Sequence, residues 1–174
     1  MILSSKRKTR LNGVLLLHAT PIFDANAPTI GEHASAFAEY SMYPVCSINV
    51  GLPPPRAMET IEFSIIVIHY SAFMAMNKYY VDYVGSHKDS TVIAFYQDEM
   101  HNWDRRIAAI KKMNVREVYS CLEPKAHAQT YYKLTSVRTV HHCLTGYVAD
   151  SLKTASLRHA IPFAKREIDV GYRS

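Results

Sequence analysis

Glycine is scarce in this chain, with six among 174 residues. No Gly-x-Gly-x-x-Gly follows the first apolar run, so the dinucleotide-binding fingerprint is missing. There is no Walker A loop and no Gly-x-Ser-x-Gly nucleophile elbow. These absences argue against a dehydrogenase, a P-loop NTPase and an α/β-hydrolase. Cysteine is also scarce: Cys46, Cys121 and Cys143 are the whole complement. An odd number at wide spacing makes neither a disulfide framework nor a paired zinc motif, and it suits a reducing, cytoplasmic setting. No apolar run approaches the roughly 18 residues of a membrane span. The longest runs, Gly13–Leu17 and Phe63–Ile68, read as buried strands. There are no internal repeats, and no low-complexity stretch beyond Pro53–Pro55.

What is present is globular. Hydrophobic residues make up 48% and charged residues 20%, and a chain of this length can bury a core. The net charge is +5. Lys6, Arg7, Lys8 and Arg10 stand in the first ten residues without an acid among them, and taking those four away leaves +1. The charge therefore describes a basic leader, residues 1–10, more than a binding face, and no specific nucleic-acid partner is expected. The leader is no secretory signal, because Val14–Leu17 is too short for an h-region and runs into His18.

Short apolar runs alternate with helical patterns. Gly13–His18, Val45–Val50, Phe63–His69, Thr91–Tyr96, Glu117–Leu122 and Val137–Cys143 read as six strands. Several are apolar almost throughout, as strands buried on both faces are. Thr29 and Glu32 have the spacing of a capping box for a helix that turns Ile30, Ala34, Phe37, Ala38 and Tyr40 toward the sheet and ends before Pro44. Three successive prolines make Gly51–Pro55 a loop, and Arg56–Ile61 suits a short helical turn. Met74–Val84 is ambiguous. Asn102–Met113 reads as a helix with Ile107, Ile110 and Met113 inward and Arg105, Arg106, Lys111 and Lys112 outward. Glu123–Tyr132 and Asp150–Ala155 read as further helices, the first with Pro124 near its start. The alternation predicts an α/β fold: a Rossmann-like, doubly wound, mostly parallel sheet of about six strands with helices on both faces. The domain would span residues 11–160. Residues 161–174 read as a linker and, at Ile168–Tyr172, the first strand of a second domain.

In such a sheet ligands bind beyond the carboxyl ends of the strands. The polar residues at those ends are His18, then His69, Tyr70 and Ser71, then Gln97, Asp98 and Glu99, then Thr145, Gly146 and Tyr147. All four groups are expected on one rim. Each also has a plain structural reading: a histidine satisfied by hydrogen bonds, carboxylates that cap the next helix, a turn at Thr145-Gly146. His33, in the first turn of the capped helix, would be held neutral by the helix dipole and so suited to accept a proton from a hydroxyl, or it is simply an exposed helical histidine. His141 and Cys143 share a strand face, which is too little for a metal site, so no metal ligand is assigned. The twelve tyrosines suit either a stacking groove or half-buried packing.

Six motifs occur in order over most of the chain: His18-Ala-Thr-Pro21, Ala27-Pro-Thr-Ile-Gly-Glu-His33, His69-Tyr-Ser71, Phe95-Tyr-Gln-Asp-Glu99, Cys143-Leu-Thr-Gly-Tyr-Val148 and Arg166-Glu-Ile-Asp-Val-Gly-Tyr-Arg173. Together they resemble the N-terminal half of bacterial GT-B glycosyltransferase-like proteins. The resemblance implies two Rossmann-like domains across a cleft, an N-terminal one for the acceptor and a C-terminal one for the nucleotide-sugar, which enters as co-substrate without a bound metal or other cofactor. It implies that this chain stops at the start of the donor domain and is inactive alone. Thr29 and His33 would face a carbohydrate or other hydroxyl acceptor. His18, His69, Tyr70, Ser71, Gln97, Thr145, Gly146 and Tyr147 would help to bind it, and the base would be His33, Asp98 or Glu99. Homo-oligomerisation through the face left by the missing domain is a further expectation. The competing reading is a non-catalytic α/β interaction or ligand-binding module. A receiver domain is disfavoured, because its acidic cluster and phosphorylatable aspartate would stand where His18 and His69 are.

Overall fold

The computed structural model describes residues 8–20, 28–97 and 102–143, with Thr154, Arg158, Pro162 and Lys165 beyond them. Six strands form one sheet in the order β2-β1-β3-β4-β5-β6, and every pairing is parallel. They are β1 (Thr9–His18), β2 (Val45–Asn49), β3 (Ile61–Ile68), β4 (Thr91–Phe95), β5 (Glu117–Ser120) and β6 (Thr139–His142). The helices are α1 (Pro28–Tyr40), α2 (Ala72–Ala75), α3 (Lys78–Ser86), α4 (Trp103–Met113) and α5 (Pro124–His127), with a 3-10 turn at Arg56–Thr60 and a π turn at Ala128–Tyr132. The architecture is the α/β, Rossmann-like arrangement that the alternation predicts.

The apolar run of β1 explains the layering. Leu15 and Leu17 face a large core with Tyr80, Tyr83 and Val84 of α3 and Ile107, Ile110 and Met113 of α4. Val14 and Leu16 face the other way, with Val67 and Ala34, and Phe37 of α1 packs against them. Leu15, Leu16 and Leu17 are fully buried, and each such side chain contributes roughly 1.5–3 kcal/mol. A strand sandwiched between helices has no solvent face, so it carries no alternation.

Two close approaches require glycine. A Cβ on Gly13 would lie 2.9 Å from the Pro44 carbonyl oxygen, at a bulge where the β1–β3 register shifts. A Cβ on Gly85 would lie 2.5 Å from the Lys112 carbonyl oxygen, where α3 meets α4. Helix α4 ends on Asn114 in the left-handed region (φ 53°), which lets its N–H and that of Val115 reach back to Ile110.

Several boundaries differ from the sequence expectation. Strand β1 begins at Thr9, so Thr9 and Arg10 of the basic stretch pair with β3. Helix α1 begins at Pro28, which places Thr29 inside the helix rather than at its N-cap; proline's fixed φ suits a first helical residue. Ala38 and Tyr40 of α1 are exposed, because only the Ala34–Phe37 side of the helix meets the sheet. Met74–Val84 divides between α2 and α3, where Asn77 caps the Tyr79 and Tyr80 amides with its side chain. Arg106, expected outside, is buried. Its guanidinium stands 5.5 Å from the Tyr96 ring centre and donates to the Gln97 carbonyl oxygen (3.0 Å), so the end of β4 covers it. The expected helix over Glu123–Tyr132 is one α turn followed by a π turn. The predicted helix at Asp150–Ala155 and strand at Ile168–Tyr172 lie outside the described residues, apart from Thr154, which is helical.

Candidate functional site

All strands run parallel, so all their carboxyl ends share one rim. The chain passes from β1 outward to β2, then crosses to β3 on the other side of β1. The order of winding therefore reverses between β1 and β3, which is where open α/β sheets form a crevice. His18 ends β1 and His69 follows β3, so the two histidines flank this switch point.

The hydrogen bonds here run across elements far apart in sequence. The Ala19 amide donates to Ser71 Oγ (2.9 Å). Ser71 Oγ lies 2.8 Å from His69 Nδ1, and the Ser71 amide donates to that same nitrogen (3.2 Å). His69 Nε2 lies 3.1 Å from His33 Nδ1. His18 Nδ1 lies 2.8 Å from Thr20 Oγ1, and Asn49 Nδ2, at the end of β2, donates to the Thr20 carbonyl oxygen (2.8 Å). The Tyr70 ring packs 4.0 Å from the His69 ring, centre to centre, and the His33 ring meets Phe37 at 5.3 Å.

His69 is fully buried. Burial, and then the neighbouring His33 and His18, push its pKa from 6.5 down to about 3. It is therefore neutral at physiological pH and a poor proton acceptor. Burial also lowers His18 and His33 and raises the Tyr70 phenol. His33 is the sixth residue of α1, beyond the first turn to which the helix dipole reaches. Its neutral bias thus comes from burial, and not from the dipole expected at the sequence level.

Of the residues singled out from sequence, the fold brings His18, His33, His69, Tyr70 and Ser71 into one cluster. Gln97 stands exposed at the end of β4, with its carbonyl oxygen held by Arg106. Thr29 lies in the first turn of α1, and its side chain falls outside what the structure describes. Asp98, Glu99, Thr145, Gly146 and Tyr147 lie outside the described residues. Sequence reasoning assigns no site role to Asn49, and Thr20 enters it only within the His18–Pro21 motif. Asn49 ends β2 in the structure, but in the sequence it precedes Val50 in a run that holds Ser47, an exposed residue, so no switch from apolar to polar marks it.

A row of rings leaves the cluster along the α1 face of the sheet. Phe37 meets Phe95 edge-on at 5.2 Å, Phe95 stacks on Tyr119 at 4.6 Å, and Tyr119 stacks on His141 at 4.5 Å. His141 Nε2 also lies 3.3 Å from Glu117 Oε2, and His142 Nδ1 bonds the Leu122 carbonyl oxygen (2.9 Å). Among the described residues no three His, Cys, Asp or Glu side chains come together to hold a metal ion. Cys46, Cys121 and Cys143 form no disulfide among the described residues. No helix of the described residues is long and apolar enough to cross a membrane.

Two open grooves lie away from the switch point. One of about 270 Å³ lies between α2, α3 and α4, over Phe73, Met76, Val81 and Ala109. Its lysines, Lys78 and Lys112, both bond Asp82. The other, about 230 Å³, lies by Gly13 and Pro44 at the opposite end of the sheet.

Comparison with known proteins gives no match to any family, any curated protein or any solved structure.

Proposed function

We propose that the chain is the acceptor side of a GT-B-type glycosyltransferase, which moves a sugar from a nucleotide-sugar to a hydroxyl acceptor. The observation that carries this reading is the convergence of His18, His33, His69, Tyr70 and Ser71 on the β1–β3 switch point. A hydroxylated ligand needs two things from such a crevice. It needs polar groups that donate to and accept from its oxygens, which imidazole, hydroxyl and phenol groups supply. It also needs a flat apolar surface for its C–H faces, for which the half-buried Tyr70 ring beside His69 is the candidate. The resemblance of the strand-end motifs supports the same reading and implies a second domain for the donor. Taking up the hydroxyl proton is worth about 10²–10⁴-fold in such a transfer. His69, with a pKa of about 3, is not the group that does it.

The alternative, a non-catalytic ligand-binding or interaction module, has one observation in its favour. The hydrogen bonds of His69 run to Ser71 and His33, within the chain itself, as those of a structural histidine do.

The test is an amide NMR titration of the chain with D-glucose, D-mannose and D-galactose, and separately with UDP-glucose. The acceptor reading expects saturable shifts at Ala19, His33, Tyr70 and Ser71 with a sugar, and none there with the nucleotide-sugar. Shifts at those residues with UDP-glucose alone would transfer the donor role to this chain. Silence toward all four ligands would leave the interaction module.

A further inference from the structure

We infer that the β2 edge of the sheet is an interface with a second copy of this chain, in which β2 pairs antiparallel with its counterpart about a two-fold axis beside Ser47. Strand β2 ends the sheet order, so only one of its sides meets another strand among the described residues. The pairing with β1 uses alternate residues. Val14 N–H donates to the Pro44 carbonyl oxygen (2.9 Å), and Val50 N–H donates to the His18 carbonyl oxygen (2.7 Å). Pro44, Cys46, Ile48 and Val50 therefore turn their backbone groups toward β1. Val45, Ser47 and Asn49 turn theirs outward, as a row of donors and acceptors on which another strand can form.

Proteins ordinarily blunt such an edge with charge, above all with lysine. This edge carries none. No Asp, Glu, Lys or Arg stands between Glu39 and Arg56, a stretch that holds all of β2 and both its flanks. Within the strand, Cys46 and Ser47 are exposed. Met42 (92% exposed) and Tyr43 precede it and Leu52 (46% exposed) follows it, large apolar side chains left in water. Strand β6, at the other end of the order, is different. Arg138 precedes it, and it carries His141 and His142, the first of them 3.3 Å from Glu117.

The pattern points to the occupant. Across a two-fold interface, if residue i meets residue j, then j meets i. With the axis beside Ser47, that residue faces the partner's Ser47, and Val45 faces the partner's Asn49. Met42 and Leu52 each lie five residues from the axis, so Met42 sits at the end of the strand pair where the partner's Leu52 lies. The outward amides and carbonyls of one copy meet those of the other, and the exposed apolar side chains at the two ends of the edge cover one another. Pro44 and Pro53–Pro55 bound the pairing, since proline gives no donor to a ladder. The interface runs along the edge of the sheet and not across its carboxyl rim, so it does not rest on the acceptor reading.

Sedimentation equilibrium of the full chain at about 100 μM, where a micromolar interface is largely formed, should give twice the monomer mass of 19.8 kDa. The monomer mass at that concentration overturns the inference. So does a ladder of larger species, because a two-fold pair closes. Met42 is exposed in the single chain, so Met42→Glu should leave the fold alone and raise the dissociation constant about tenfold or more. Ser47→Pro removes an outward N–H and no bond to β1, and should abolish the dimer with circular dichroism unchanged. A dimer that both variants leave intact uses another surface and overturns the inference. Register is read by cross-linking in a chain whose native cysteines are replaced by serine. Cα atoms opposed in a hydrogen-bonded antiparallel pair lie about 5.5 Å apart, within disulfide reach. Mild oxidation should therefore link two copies through Ser47→Cys and not through Leu52→Cys, whose copies lie at opposite ends of the pair. The reverse result overturns the pairing. Should Ser47→Pro not fold, Met42→Glu and the cross-link still decide the matter.

Discussion

His69 Nε2 lies 3.1 Å from His33 Nδ1, and this contact ties the end of β3 to the second turn of α1. The two rings meet edge to face, with centres 5.0 Å apart. Thirty-six residues separate them in sequence. Their pairing makes the rim a single network that links β1, β3 and α1, and it sets how the site responds to acid.

Acid sensitivity is the first consequence. His69 has a folded pKa of about 3 against 6.5 for the free side chain. Above pH 6.5 both states are neutral, and the group adds nothing to the pH dependence. Below 6.5 the unfolded chain takes up a proton that the folded chain refuses, so stability falls as the pH drops from 6.5 toward 3. The slope from this one group is about 1.4 kcal/mol per pH unit. His18 and His33 shift in the same direction and steepen the fall. Urea midpoints measured at intervals over that window should drop, and a His69→Gln chain should drop less. Parallel curves for the two chains would show that His69 does not titrate as stated.

Ser71→Ala removes the acceptor of the Ala19 amide and one of the two donors to His69 Nδ1. Leaving a half-buried amide without its partner costs about 1–3 kcal/mol. Chemical denaturation should show a loss in that range with an unchanged slope against denaturant. The ring tautomer of His69 should persist, because the Ser71 backbone amide remains.

Two glycines give opposite results on alanine substitution. In α1, a Cβ on Gly31 would meet only Thr20 Cγ2, at 3.8 Å, an ordinary contact. Gly31→Ala should stabilise the chain by about 0.5–1 kcal/mol through helix propensity and a stiffer unfolded state. Gly85→Ala drives a Cβ against the Lys112 backbone. It should destabilise by about 1–3 kcal/mol, as overpacking does. Thermal melts of the two variants should move in opposite directions.

Asp82 bonds Lys78 and Lys112 and so bridges α3 and α4. Those two lysines hold its carboxyl below the usual carboxylate range. The group is solvated, so Asp82→Asn should shift the melting temperature only slightly. The shift should vanish in about 1 M salt, where exposed charges are screened within about 3 Å. A large, salt-independent loss would mean that Asp82 packs as well as pairs.

Much of the fold is legible in the sequence because its strands lie between helices. Val14–Leu17 and Ile65–Ile68 are apolar on both faces, and only a covered parallel sheet accepts that pattern. The ends of β1 and β3 were legible for the same reason, since the first polar residue after each run marks the rim. Other features had no local signal. The boundary between α2 and α3 depends on Asn77 turning its side chain onto two amides. Arg106 reads as a surface cation until the end of β4 closes over it.

The sequence alone determined which residues form strands, that the sheet is parallel, and that His18 and His69 stand at strand ends, because hydrophobic period and polar punctuation are local properties. The tertiary structure decided that β1 lies between β2 and β3, that α1 brings His33 onto His69, and that the Ala19 amide meets Ser71 Oγ. Those are contacts between segments distant in the chain, and their geometry exists only once the cores on the two faces of the sheet have closed.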